Sequence, residues 1–91
     1  MGNARFELYT RPTCSDCQDA KAFLAKNNIS YIHYDLSKEP EREKELIQLN
    51  GSRIVPAFIF TKKSLFGFNR KPDVLIGFER NHEEIKKRLG I

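Results

Sequence analysis

The order of apolar and polar positions divides the chain into short blocks with two different periods. Arg5 to Tyr9 ("RFELY") is rich in aromatic and apolar residues and reads as a strand, broken by Arg11-Pro12. From Ser15 to about Lys26 the apolar positions Cys17, Ala20, Phe23 and Leu24 fall at three- and four-residue steps, one face of a helix, and Asn27-Asn28 ends it. Ile29 to Asp35 alternates as a second strand, with Ile29, Tyr31 and His33 opposed to Ile32 and Tyr34. Ser37 is the candidate N-cap of a second helix, and Pro40 sits where a first turn tolerates proline. Glu39, Glu41 and Glu43 suit the positive end of that helix; Leu46, Ile47 and Leu49 supply its apolar face, and Gly51 ends it. Residues 53–60 ("RIVPAFIF") read as a buried strand interrupted by Pro56, which cannot donate to a ladder and belongs at a strand start, an edge or a bulge. A last strand, Val74 to Gly77, leads into a final helix, with Asn81 and Glu84 spaced as a capping box and Ile85 and Leu89 as a narrow apolar seam. The order β-α-β-α-β-β-α predicts an α/β domain: two parallel strands joined by a right-handed helical crossover, then an antiparallel hairpin.

Length and composition narrow this further. At 91 residues the chain is one small domain, and 40% hydrophobic content with seven phenylalanines allows a modest core. A formal charge of +4 is a mild excess spread along the chain; it favours acidic partners over dedicated nucleic-acid binding, and no nucleic-acid partner is expected. No stretch approaches the roughly 20 apolar residues of a membrane-spanning helix. The first ten residues carry no apolar run and no cleavage pattern, so no signal peptide and a cytoplasmic location are expected. Within residues 64–80, Leu-Phe-Gly-Phe-Asn-Arg returns ten residues later as Leu-Ile-Gly-Phe-Glu-Arg, a local echo and not a repeat architecture, which needs at least three units.

The chemistry lies in "RPTCSDCQDAKAF", residues 11–23, which holds both cysteines, Cys14 and Cys17. A thiol at a helix N-terminus faces unpaired amides and the positive end of the macrodipole, an arrangement that lowers a cysteine pKa from about 8.5 to roughly 3.5–7.5. Cys14 is therefore the expected nucleophile, with Arg11 adding positive charge and Asp16 opposing it. Cys17, one turn into the helix, is the expected resolving thiol, held within reach of the Cys14 sulfur. Three other readings compete. A structural disulfide across so short a loop stabilises little, about 2 kcal/mol, and does not persist in the cytosol. Zinc needs four ligands, and His33 and His82 lack the spacing to complete a site, so no metal is expected. Two inert core thiols remain as the third reading. A dithiol beside a βαβ pattern favours redox chemistry.

"LYTRPTCSDCQDAKAFL" together with "IVPAF" resembles the glutaredoxin family of the thioredoxin superfamily, particularly the short glutaredoxin-like redoxins, from about Phe6 to Leu89. The resemblance implies a thioredoxin/glutaredoxin fold, a four-stranded mixed sheet flanked by three helices, with thiol–disulfide exchange at one end. It implies Cys14 as nucleophile, Cys17 as resolving thiol, and Pro56 as a cis-proline that exposes the backbone of Val55 to an extended substrate chain. Arg11, Thr13, Val55, Pro56, Gly77 and Phe78 are the implied substrate-binding residues. The chain departs from the family in three places: Ser15-Asp16 stands where Pro-Tyr is common, Ile54 where Thr is common, and Gly77-Phe78-Glu79-Arg80 where a glycine pair precedes two aspartates. These departures lean toward the redoxins and away from glutathione. Gly77 is the expected family glycine, with Gly67 as the competing choice, and a hairpin insertion is expected at about 62–72. That insertion combines Lys62, Lys63, Arg70 and Lys71 with Phe66 and Phe68, either as a docking surface or as a hairpin folded onto the sheet.

The expected activity is that of a dithiol oxidoreductase reducing protein disulfides, or mixed disulfides with a low-molecular-weight thiol. No tightly bound cofactor is expected. Electrons would come from glutathione or another low-molecular-weight thiol, or from thioredoxin reductase. Protein disulfide substrates, thioredoxin reductase and ribonucleotide reductase are the partners the resemblance implies, with no membrane association and a monomeric state. Two alternatives stand beside this: a redox-sensing or protein-binding module switched by a Cys14–Cys17 disulfide, and a glutaredoxin-like arsenate-type reductase. The short chain and the lack of a further arginine-rich anion site count against the latter.

Overall fold

The computed structural model of the chain describes residues 6–60 and 72–91. Among them seven elements follow in order: β1 (Glu7–Thr10), α1 (Ser15–Lys26), β2 (Ile32–Asp35), α2 (Arg42–Asn50), β3 (Ala57–Phe60), β4 (Asp73–Ile76) and α3 (His82–Leu89). The strands form one sheet in the order β2-β1-β3-β4. β1 runs parallel to β2, while β3 runs antiparallel to both β1 and β4. The sequence-derived element order and the mixed four-stranded sheet with three helices are both present.

Alternation along the central strands sorts the core into two layers. Leu8 and Phe58 face one side, where with Phe6 and Phe78 they pack on Ala20 and Leu24 of α1 and Ile85 and Leu89 of α3. Tyr9, Ala57 and Ile59 face the other side and pack on Leu36 and on Leu46 of α2. β1 and β3 are thus covered on both faces, and each fully buried Leu or Phe contributes about 1.5–3 kcal/mol. Among the described residues no helix is long and apolar enough to cross a membrane.

Several local features differ from the sequence reading. Ser37 does not cap α2. It belongs to a turn in which Asp35 Oδ1 accepts both its N–H at 2.9 Å and its hydroxyl at 2.6 Å, the short-range side-chain bond that Asp favours over a cap. α2 begins later, with Glu41 in the N-cap position and no side-chain cap bond. Of its three apolar residues only Leu46 is buried; Ile47 and Leu49 are exposed, because a nine-residue helix turns only one narrow face to the sheet. Gly51 does end α2, at φ 75°. Asn81 forms no capping box with Glu84; its Nδ2 donates instead to the carbonyls of Ile76 at 2.7 Å and Gly77 at 2.9 Å. The third strand is confined to Ala57–Phe60, since the backbone before Pro56 turns away from the ladder. Apart from Pro72, the expected insertion at 62–72 lies outside the described residues, as does Gly67.

Candidate active site

The turn after β1 brings the first thiol to the mouth of α1. The Cys14 N–H donates to the Arg11 carbonyl at 3.2 Å, closing the Arg-Pro-Thr-Cys turn. Cys14 then takes the N-cap position in extended conformation (φ −95°, ψ 111°), with its sulfur in the role that Ser or Asp oxygens usually fill. The Cys17 N–H donates to Cys14 Sγ at 3.0 Å. A sulfur placed there receives an otherwise orphaned helix amide and the positive end of the dipole.

Cys17 is fully buried behind it, and both residues are free thiols. Burial pushes the Cys17 thiol up to about 12, and its hydrogen bond with Cys14 pushes it the same way. The pair is therefore asymmetric: a partly exposed sulfur at the helix mouth and a protonated, sheltered thiol one turn below.

The chain returns to this point twice. The Val55–Pro56 peptide bond is cis, as the resemblance implies, and Cys14 Sγ lies 3.8 Å from the Val55 carbonyl oxygen. Pro56 is buried and accepts the Gly77 N–H at 2.8 Å, which ties the loop before α3 to the β3 entry. Gly77 has φ 97°, and a Cβ there would meet the Arg80 side chain at 2.8 Å. Phe78 follows, 9% exposed, with its ring against Phe23, Phe58 and His82.

Two contacts in this site were not legible in the sequence. The Asp16 carboxylate, between the two cysteines, accepts the Phe78 N–H at 2.8 Å on Oδ2 and the Glu79 N–H at 3.2 Å on Oδ1. Arg11, one of the implied substrate-binding residues, forms an ion pair with Glu43 of α2. Thr13 is exposed on the turn before Cys14. Asp16, Asp19, Phe78, Glu79 and His82 line a shallow cavity of about 160 Å³ on the Asp16 side of the dithiol. The structure thus brings Cys14, Cys17, Val55, Pro56 and Gly77 together. It places the Phe78 ring mainly in the core.

The sequence profile of the Glutaredoxin family matches residues 6–65. Glutaredoxin 3 from Escherichia coli K12 is 28% identical over 64 residues, covering 70% of this chain and 77% of that protein. An uncharacterized glutaredoxin-like 8.6 kDa protein in the rubredoxin operon of Clostridium pasteurianum is 25% identical over 64 residues, covering 70% and 85%. The global transcriptional regulator Spx of Lactiplantibacillus plantarum is 40% identical over 48 residues, half of this chain but only 36% of that protein. In three dimensions, a glutaredoxin from Archaeoglobus fulgidus superposes with a TM-score of 0.69 at 18% identity, over 97% of this chain and 88% of that one. That likeness establishes the fold, and the profile, which spans most of the chain, establishes the lineage. The chain belongs to the glutaredoxin family.

Proposed function

We propose that the protein is a cytoplasmic, monomeric dithiol oxidoreductase that reduces protein disulfides or mixed disulfides with a low-molecular-weight thiol. The observation that carries this reading is the asymmetric pair: Cys14 Sγ at the mouth of α1, bonded by the Cys17 N–H at 3.0 Å, with the Cys17 thiol buried behind it. The Cys14 thiolate attacks one sulfur of a substrate disulfide, and the other sulfur leaves as a thiolate that takes up a proton. Cys17 loses its proton and attacks the Cys14 sulfur of the mixed disulfide, releasing the second substrate thiol. The substrate gains two electrons and two protons, and the chain is left with a Cys14–Cys17 disulfide. A reductase or a pool of small thiols restores the dithiol. The high proton affinity of Cys17 suits its place as second actor, because it does not compete for substrate while reduced. Val55, whose carbonyl lies beside the Cys14 sulfur, is positioned for an extended substrate chain to pair with as an added strand.

Replacing Cys17 by Ser is expected to trap a mixed disulfide at Cys14, and replacing Cys14 by Ser to abolish exchange. Mass spectrometry of the non-reduced variants after incubation with a peptide disulfide reads both. Loss of reaction in both variants without trapping would refute the assigned order.

The similarity to Spx supports a second reading, a binding module switched by the Cys14–Cys17 disulfide. Stoichiometric partner binding that depends on redox state, without turnover by any thiol or reductase, is its signature.

A further inference from the structure

We propose that Asp16 and Glu43 are specificity-determining residues that fill, from within the chain, the two positions beside Cys14 best suited to hold a substrate carboxylate. They thereby turn the dithiol away from carboxylate-bearing small disulfides and toward disulfides that bring neutral or basic groups to the site. The inference rests on the exchange chemistry proposed above.

Two features of the site are built to receive an anion. The first is backbone. After Gly77, at φ 97°, the successive N–H groups of Phe78 and Glu79 reach the two oxygens of one carboxylate, and adjacent amides aimed at one anion form anion-binding concavities. The second is Arg11, in the turn that carries Cys14, whose planar fork of donors matches a carboxylate. Each is occupied by an internal carboxylate: Asp16 takes both amides, and Glu43 pairs with the guanidinium. An incoming carboxylate must displace a tethered one, whose local concentration is high because the fold holds it in place. It must also approach the cavity wall formed by Asp16, Asp19 and Glu79, which repels it. A neutral or basic group meets neither obstacle. Asp16 sits on the first turn of α1 between the two thiols, so this selectivity is fixed relative to the reacting sulfur.

The test uses the pre-reduced chain in a single turnover, with acid quench and mass spectrometry to follow Cys14–Cys17 disulfide formation. Three small disulfides serve as probes: 3,3′-dithiodipropionate (anionic), bis(2-hydroxyethyl) disulfide (neutral) and cystamine (cationic). Asp16→Ala is expected to raise the anionic-to-neutral rate ratio about tenfold, the scale of one vacated charge-assisted hydrogen-bond site. Asp19→Asn removes a charge from the same wall without freeing the amides, and should move that ratio by no more than about twofold, as a screened surface charge does. Glu43→Gln, in the half-buried first turn of α2, should raise it a few-fold by releasing Arg11, and still decides the question if Asp16→Ala fails to fold. Equal ratios in Asp16→Ala, Glu43→Gln and the parent chain overturn the proposal, as does an Asp19→Asn effect matching that of Asp16→Ala. A second readout needs no redox activity. Titration with propionate should give saturable shifts of the Phe78 and Glu79 amide resonances in Asp16→Ala and none in the parent chain; the absence of shifts in a folded variant also overturns it. If the parent chain fails to react with all three disulfides, the exchange reading fails, while the propionate titration still reports on the anion position.

Discussion

At the scale of single residues, the Cys14 sulfur and the Asp16 carboxylate both accept backbone amides at the mouth of α1, one from its own helix and the other from the loop before α3. Cys14 and Cys17 announce themselves by spacing, and the amide that meets the Cys14 sulfur comes from three residues away. Asp16 shows only its charge in the sequence. Its partners, Phe78 and Glu79, lie more than sixty residues away, and nothing short of the fold brings them together. Asn81 is the opposite case, because a plausible local motif misleads. The Asn81–Glu84 spacing suggests a capping box, yet the side-chain amide donates to the carbonyls of Ile76 and Gly77 and so pins the loop before α3. The two roles make opposite predictions. As an N-cap, Asp would serve as well as Asn. As a donor to two carbonyls, Asp fails, because its carboxylate faces oxygen with oxygen. Asn81→Ala is therefore expected to cost about 1 kcal/mol, the value of a typical hydrogen bond, and Asn81→Asp more than that at pH 7. Urea denaturation of the two variants decides between the roles, and an Asp variant as stable as the parent would restore the capping box.

At the scale of elements, each helix and strand was foreseen from periodicity or from apolar content between breakers, and the errors lie at their ends. Strand 53–60 shrank to Ala57–Phe60 because Pro56 cannot join the ladder, and the helix expected near Ser37 starts at Arg42 because Asp35 captures Ser37 first. Gly51 and Gly77 follow different logic. Gly51 ends α2 at φ 75°, and a Cβ added there would have nothing within 4 Å, so an alanine meets only the left-handed backbone cost. Gly51→Ala is expected to lose about 1 kcal/mol of stability and to leave the single-turnover exchange rate unchanged. Gly77→Ala adds a contact with the Arg80 side chain at 2.8 Å, which a change of rotamer relieves, and strains a backbone at φ 97°, whose relief shifts the Phe78 and Glu79 amides bonded to Asp16. It should lower the exchange rate as well as stability. A Gly77→Ala variant that loses stability alone, as Gly51→Ala does, would show that this loop is not coupled to the dithiol.

At the scale of the whole molecule, the two-layered core buries groups that hold their protons more tightly than in water, so a loss of stability at alkaline pH is expected. Burial pushes the Cys17 thiol up to about 12, and burial with the nearby Glu7 and Glu45 pushes the Tyr9 phenol to about 12 as well. Tyr31 and Tyr34 move in the same direction, burial again being the main cause. In the unfolded chain a thiol titrates near 8.5 and a phenol near 10, on the order of model-peptide values. Between those values and the folded ones the native state holds more protons than the unfolded state, so stability must fall as pH rises. Below about pH 8.5 the contribution of Cys17 is fully present; it is lost progressively toward pH 12, and the phenols add to the loss from about pH 10. Each group contributes a slope of about 1.4 kcal/mol per pH unit while its two states differ by a whole proton. Cys17→Ala should shift the stability curve by a constant amount below pH 8, from the smaller side chain, and take about 1.4 kcal/mol per pH unit off its slope from about pH 9 upward. Above about pH 10 the variant should keep only the slope that the phenols contribute. Urea midpoints measured every half unit from pH 7 to 11 under a phosphine reductant, on the order of ten points spanning both unfolded values, test this directly. Parallel curves for parent and variant would mean that the Cys17 proton is not held by the fold, and would remove the asymmetry on which the order of the two thiols rests.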